Sequence, residues 1–326
     1  MNEIKIFCPA TIANLNCGFD VLGLCLDGIG DEMIVRKVSQ KGIKITKIVG
    51  ADLPFETEKN VAGVAALAIL GALKKDGNKY VSYESNNVNY IEIDCGFEIE
   101  IYKNLKLGSG IGSSSASAAG AVFGINELLG KPFSRSQLVE FAMKGEVVAS
   151  GSEHADNVAP CLLGGFTLVC GYKPLHVEQI ISPADLFAVV LHPHIEVKTS
   201  DARAVLQPMI SLKNAITQTG NLGGFIAGLY TNNYELMARS MQDVIIEPMR
   251  KHLIPNFDLV KNSALENGAL GAGISGAGPS IFALCKGKTS AEKVALAMTN
   301  SFNTTTILFD VHISNINKIG TRILRD

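Results

Sequence analysis

The stretch Lys106–Ala121, KLGSGIGSSSASAAGA, decides how the rest of the chain is read. Gly108, Gly110 and Gly112 alternate with other residues, Ser113, Ser114 and Ser115 follow, and an alanine-rich helical segment comes next. Residues without a Cβ let a backbone turn tightly and approach a ligand closely. A helix that begins at the serines leaves its first N–H groups unpaired at the positive end of the macrodipole. With Leu107, Ser109 and Ile111 completing the loop, the segment reads as an anion cradle, and a nucleotide phosphate is the expected anion. The three serine hydroxyls are expected to face the same point.

The 326 residues are 47% apolar and 18% charged, enough for one large or two medium domains with a sizeable core. A formal charge of −2 offers nucleic acid no basic surface. The apolar run Val61–Leu73 is too short to span a bilayer, and the opening MNEIKIFCPA lacks the basic-then-apolar pattern of a signal peptide. The seven cysteines are odd in number and hold no C-x-x-C pair, which fits a reducing cytoplasm better than a disulfide framework or a zinc knuckle. Cys17 is a candidate for an exposed thiol, whereas packing as small hydrophobes is expected for most of the seven.

Around the cradle, Ile4–Phe7 alternates as a strand, and Glu32–Val38 and Ile43–Val49 read as paired strands about Lys41-Gly42. Asn89–Tyr102 alternates with Ile91, Ile93, Phe97, Ile99 and Ile101 on one face. Asn60–Leu73 has helical spacing and stops at Asp76-Gly77, and the cradle helix stops near Gly130-Lys131-Pro132. Ser134-x-x-Gln137 is a capping box, which predicts a helix from about Arg135 to Ala149. Leu138, Phe141, Ala142 and Ala149 share its apolar side. Glu146 falls at the edge of that stripe, where a half-buried carboxylate needs a cation or donors. The alternative is a surface glutamate in a salt bridge. After Gly164-Gly165 come strands at Phe166–Cys170 and Leu186–Leu191, helices from Asp201 to Asn267, and strands at Thr304–Ile313 and Thr321–Leu324. A boundary at the double glycine divides the chain into 1–165 and 166–326, two α+β halves.

Two motifs are decoys. Gly287-Lys288-Thr289 ends like a P-loop, but Phe282 stands where the first glycine is required. Gly271-x-Gly273-x-x-Gly276 spells the dinucleotide fingerprint, yet it follows a helical segment and precedes the strand-like Ile281–Leu284, the reverse of the order that motif needs.

Three segments in order, Pro9–Asp20 (PATIANLNCGFD), the cradle, and Gly271–Ser280 (GAGISGAGPS), resemble the GHMP kinase superfamily, whose members phosphorylate small metabolites with ATP and no P-loop. Glu153–Pro160 (EHADNVAP), Thr199–Leu206 (TSDARAVL) and Glu247-Pro248-Met249-Arg250 are similar to the branch that acts on homoserine in threonine biosynthesis, so the resemblance runs to about residue 285. The family's usual glycine and proline after Asn-Leu are Asn16 and Cys17 here. Its frequent proline before the cradle is Lys106, and an arginine common upstream of EP-x-R is replaced in Asp243-Val244-Ile245-Ile246.

The resemblance implies a two-domain α+β fold, with an S5 domain 2-like, ATP-binding N-terminal half and a ferredoxin-like α/β sandwich in the C-terminal half. It also implies ATP and Mg²⁺ as cofactors, homoserine as small-molecule partner, a cytoplasmic enzyme compatible with a homodimer, and neither nucleic acid nor membrane. Without a P-loop lysine, backbone N–H groups, a helix N-terminus and Mg²⁺ must meet the phosphate charge. By resemblance Ser114 and Glu146 hold the metal, Asn60 lies near the adenine, and Gly276 belongs to a loop that closes on the phosphates. Asn60 serves equally as a helix cap, and the glycines around Gly276 equally as a helix-to-strand turn.

By the same resemblance Asn14 and Asp20 are placed for an ammonium, Arg203 and Arg250 for a carboxylate, and His154 and Asn157 for the reactive hydroxyl. A surface arginine and a satisfied core histidine are the ordinary alternatives for Arg203 and His154. Asp156 is either the general base or a bystander to proton uptake by the nucleotide phosphate or solvent. A mevalonate- or sugar-type kinase is the alternative enzyme, but two arginines with Asp20 and Asn14 suit a zwitterion better. A non-catalytic protein of the same fold would be expected to lack Glu146 or the cradle serines, and both are present.

Overall fold

The computed structural model describes residues 2–73, 82–84, 87–89 and 94–325; the expected stop at Asp76-Gly77 and the inward Ile91 and Ile93 lie outside them. Strand β1 (Glu3–Ala13) continues through Pro9, well past the expected Ile4–Phe7, and pairs antiparallel with the long β2 (Leu22–Val38). The expected hairpin of β2 with β3 (Gly42–Val49) does not form. Helix α1 (Val61–Leu73) and the short antiparallel pair β4 (Ser82–Glu84) and β5 (Asn87–Asn89) come first. Then β6 (Gly96–Tyr102) inserts between β2 and β3, antiparallel to one and parallel to the other. Alternation identifies strands, but a parallel partner reached through a long crossover leaves no local turn signal.

The odd-numbered residues Phe97, Ile99 and Ile101 of β6 join Met33 and Val35 of β2 in the core. Against this face lies α2 (Ser113–Leu128), buried on nearly every side. Its small residues permit the approach: a Cβ on Gly120 would fall 2.5 Å from Cys8 Sγ, and one on Gly124 2.5 Å from Val35 Cγ2. Helices α1, α3 (Arg135–Ser150) and α4 (Val158–Leu163) pack around it. The capping box forms as expected, Ser134 accepting from the Gln137 N–H and Gln137 reaching back. Leu138 and Ala142 are buried, but Ala149 is exposed, so the apolar stripe ends early.

Beyond Gly164-Gly165, β7 (Phe166–Tyr172) pairs with β2, and β8 (Leu175–Ile180) with β7. Both stay on the first sheet, to which the last strand also returns. The second sheet begins with β9 (Leu186–Pro193). Helices α5 (Thr199–Ala204), α6 (Leu212–Thr231), α7 (Tyr234–Ser240), α8 (Glu247–Arg250) and α9 (Phe257–Glu266) follow. Then β10 (Gly271–Ile274), β11 (Ile281–Lys286), α10 (Lys288–Phe302) and β12 (Phe309–Asn315) complete an antiparallel sheet in the order β10-β11-β9-β12. Helices α9 and α10 bury Phe257, Val260, Met298 and Phe302 against it. Strand β13 (Arg322–Ile323) then pairs with β1. Gly-Ala-Gly-Ile carries no apolar alternation, so β10 is invisible to pattern reading. Gly271–Ser280 is therefore a strand running into a turn between two strands, and no helix follows its glycines.

Six of the seven cysteines are buried, Cys17 included, and Cys170 is the exposed one. Among the described residues no helix is long and apolar enough to cross a membrane.

Candidate active site

One cavity of about 450 Å³ gathers the cradle, the β1–β2 loop, the end of α3, the segment before α4, helices α5 and α8, and the β10–β11 turn. Its lining includes Asn14, Asp20, Asn60, Leu107, Gly108, Ser109, Gly110, Gly112, Ser113, Ser114, Glu146, His154, Asp156, Asn157, Arg203, Arg250 and Gly276. Ile111 and Ser115, also expected at the nucleotide, are buried instead; the Ile111 carbonyl accepts from the Thr11 N–H at 3.1 Å.

At the cradle Gly108, Gly110 and Gly112 have φ of 63°, 78° and 73°, left-handed conformations that glycine takes freely. A Cβ on Gly110 would lie 2.5 Å from the Gly278 carbonyl, and one on Gly112 2.1 Å from Thr11 Oγ1. Gly112 caps α2 without a side-chain acceptor, so the first N–H groups of the helix remain for a ligand. The three hydroxyls do not converge. Ser113 Oγ donates to the Leu105 carbonyl at 3.1 Å, whereas Ser114 Oγ donates to Glu146 Oε2 at 3.1 Å and the buried Ser115 hydroxyl lies on the same side, near the Glu146 carboxyl. Successive helical residues point about 100° apart, and that rotation carries Ser113 away from the point the sequence suggests for all three.

The β10–β11 turn is bonded directly to the cradle. Ser275 Oγ donates to the Gly110 carbonyl at 2.7 Å, Ser280 Oγ to the Ser109 carbonyl at 2.6 Å, and Asn14 Nδ2 to the Gly276 carbonyl at 2.9 Å. Gly276 has φ of 58°, and a Cβ there would sit 3.1 Å from the Gly110 carbonyl. Gly276→Val is expected to raise the KM for ATP more than it lowers stability. Steady-state kinetics beside a melting curve check this, and an unchanged KM with a depressed Tm leaves the turn a purely structural role.

Beneath the cradle lies a feature absent from the sequence reading. Lys103 and Asp31 form an ion pair whose side chains are 1% and 2% exposed. Lys103 Nζ also donates to the Ser113 carbonyl at 2.7 Å and to Ser117 Oγ at 3.1 Å. Asp31 Oδ1 accepts from the N–H groups of Asn104 and Leu105, both at 2.8 Å. A signal existed: Lys103 continues the inward row Phe97, Ile99, Ile101, and Asp31 continues Met33 and Val35.

Glu146 is buried, not at a half-exposed edge. Burial pushes its carboxyl up to about 7, opposed by the Ser114 and Ser115 hydroxyls and the Lys103 charge. Ser114 and Glu146 set two hard oxygens side by side. Among the described residues no cluster of three or more His, Cys, Asp or Glu could hold a metal by itself. That donor set fits Mg²⁺, which takes one or two carboxylates and completes its shell with phosphates and waters.

The other end of the cavity is charged. Arg203 Nη2 donates to both Asp20 oxygens, at 2.8 and 3.0 Å, while its buried Nε has no acceptor. Arg250, also buried, donates through Nε to the Ala202 carbonyl at 2.8 Å and through Nη1 to the Gly276 carbonyl at 3.3 Å. Burial and the Arg203 charge lower it to about 10. Asp156 is buried beside them; burial, then Asp20 and Glu146, raise it to about 7. His154 Nε2 meets Ser152 Oγ at 2.6 Å, and its Nδ1 faces Arg203 Nη2 at 3.4 Å. Burial and Arg203 lower its pKa, and since arginine only donates, Nδ1 is the acceptor. Asn157 Oδ1 accepts from Thr11 Oγ1 at 2.7 Å. Asn60 caps α1: its Oδ1 accepts from the Ala62 N–H at 2.9 Å and its Nδ2 donates to the Pro54 carbonyl at 2.8 Å.

The β1–β2 loop explains one departure in the sequence. Asn14, Leu15, Asn16 and Asp20 have φ of 73°, 45°, 62° and 60°. At Asn16 a glycine would serve, and asparagine is among the few other residues that tolerate this region. Asn16 Nδ2 also ties the loop to the Met241 and Ala272 carbonyls, at 2.9 and 3.0 Å.

Comparison with known proteins agrees along the whole chain. The family model for the GHMP kinases N terminal domain matches residues 64–165, and that for GHMP kinases C terminal matches 223–304. The chain is 43% identical to the homoserine kinase of Chlorobium phaeobacteroides over 332 residues, covering 99% of this chain and 100% of that one. It is 41% identical to the homoserine kinase of Chlorobaculum tepidum, covering 99% of each. A crystal structure of homoserine kinase from Cytophaga hutchinsonii superposes with a TM-score of 0.91 at 47% identity, covering 99% of this chain and 98% of that one. Mevalonate kinase of L. major shares the fold at a TM-score of 0.67 and 13% identity, over 96% of both chains.

Proposed function

The chain belongs to the GHMP kinase family, and from that premise we infer that it transfers the γ-phosphoryl group of ATP to the side-chain hydroxyl of homoserine. The products are O-phosphohomoserine and ADP, in a step of threonine biosynthesis. One observation carries the substrate reading: a single cavity joins an anion cradle to an Asp20–Arg203–Arg250 cluster in which a buried guanidinium N–H lacks an acceptor. A carboxylate supplies that acceptor, and Asp20 with Asn14 supports an ammonium beside it.

Phosphoryl transfer asks a protein mainly for positioning and charge neutralisation. The N–H groups of the cradle and the start of α2 would hold the triphosphate, with Leu107 at its edge and the Gly276 turn closing on it. Ser114 and Glu146 would hold Mg²⁺, which when bound neutralises phosphate charge. Asn157 and His154 would orient the hydroxyl, and Asp156, buried close by, would accept its proton. Asn60 would shape the nucleotide wall through its cap on α1. Cytoplasmic residence is part of the same proposal.

An ADP-release assay across homoserine, mevalonate, shikimate and galactose tests the reading. Turnover is expected with homoserine. Turnover of mevalonate without homoserine overturns the substrate and leaves the phosphotransferase class standing.

A further inference from the structure

Phe19 lies on the left-handed loop between Asn14 and Asp20 and lines the cavity. The Arg250 guanidinium carbon is 5.0 Å from its ring centroid and the Arg203 carbon 5.6 Å. Both distances are within the range where an aromatic face attracts a cation. Two like charges drawn to one ring repel each other, and only Asp20 is hydrogen-bonded to either of them among the described carboxylates. The ring meets guanidinium surface yet competes for no N–H, so the unpartnered Arg203 Nε stays available. The loop that carries Phe19 is fixed on both sides: the Asp20 N–H donates to Asn14 Oδ1 at 3.0 Å, and Tyr172 Oη donates to the Asp20 carbonyl at 3.0 Å.

We propose that Phe19 is the positioning residue for the carboxylate of the amino-acid substrate, its ring holding Arg203 and Arg250 together so that they present one binding site to one carboxylate. The ring stacks near the two guanidiniums that would bind the acid, so its effect is expected on recognition of the acid and not on transfer. The inference rests on the homoserine reading above.

The test compares L-homoserine with L-homoserinamide, which lacks the carboxylate charge, in the wild type, Phe19→Leu and Phe19→Tyr. Leu is expected to raise the homoserine KM about tenfold while leaving the KM for ATP and the kcat nearly unchanged. Tyr, which keeps the ring, is expected to stay close to wild type. The preference for homoserine over its amide should shrink in Phe19→Leu by the same factor, a change that loosened packing alone would not produce. Should Leu lower the melting temperature, Phe19→Met carries the same comparison. An acid-over-amide preference equal to wild type in the ring-less variant overturns the proposal while the function stands. Absence of homoserine turnover in the wild type overturns the function and this inference together.

Discussion

Asp156→Asn is expected to lower kcat by about 10² to 10⁴, the range a positioned base contributes, while homoserine and ATP still bind. The side chain is isosteric, and its Oδ1 can still accept from the Asn157 N–H as the carboxylate does at 3.1 Å. The wild-type carboxyl is raised to about 7 by burial and by the Asp20 and Glu146 charges, so activity should fall as pH drops through about 7 and the base takes up a proton. Glu146, also raised to about 7, keeps an acid limb of its own, so in the variant the limb should shift and lose the part that belongs to Asp156 without disappearing. Stability should move the opposite way. A carboxyl whose folded pKa lies above its unfolded value of roughly 4 makes folding take up a proton between about pH 4 and 7. Stability contributed below that window is therefore lost as pH rises through it. The asparagine has no charge to bury, so the variant should melt higher than wild type at pH 8, and the gap should close toward pH 4. Melting curves at the two pH values beside a kcat profile check both halves. Loss of all activity with both ligands still bound would mean that Asp156 does more than accept a proton, and an unchanged kcat would hand that task to the nucleotide phosphate or solvent.

The same site shows what a sequence can and cannot display. Glycine spacing in Gly108–Gly112 is legible because a positive φ constrains each position locally, while the atoms that leave no room for a Cβ, such as the Gly278 carbonyl and Thr11 Oγ1, come from distant segments. The capping box at Ser134 was legible for the same reason, being closed within four residues. Strand order was not: Ile43–Val49 shows a strand, but nothing near it announces that β6 is its partner. Serine orientation is harder to read, because the three are consecutive in sequence while the helix rotates Ser113 away from Ser114. Asn60 shows the reverse case, in which the modest capping explanation accounts for both ends of the side-chain amide. Asp31 and Lys103 belong to no motif, and only their parity with the inward rows of β2 and β6 places them inside.

Lys103→Met should produce a large loss of stability. Removing one member of a buried ion pair costs about 3–5 kcal/mol, because the other charge stays buried without its partner. Here Asp31 would remain at the base of the loop that leads to the cradle, and the Ser113 carbonyl and Ser117 hydroxyl would lose a donor as well. The damage should extend to function. Asp31 anchors Asn104 and Leu105 at one end of that loop, while Lys103 anchors Ser113 at the other, so loosening either should raise the KM for ATP. Lys103 itself donates to Asp31, Ser113 and Ser117, which commits all three of its N–H bonds and leaves none for a phosphate. At the proposed nucleotide site its charge would act only as a field from below, while the side chain braces the loop. Pairing Lys103→Met with Asp31→Asn separates the two costs, since the double variant buries no lone charge and should recover part of the urea midpoint lost by the single one. A single variant that unfolds at the wild-type midpoint would show that the pair contributes nothing, and a double variant no better than the single would assign the loss to the hydrogen bonds at Ser113 and Ser117.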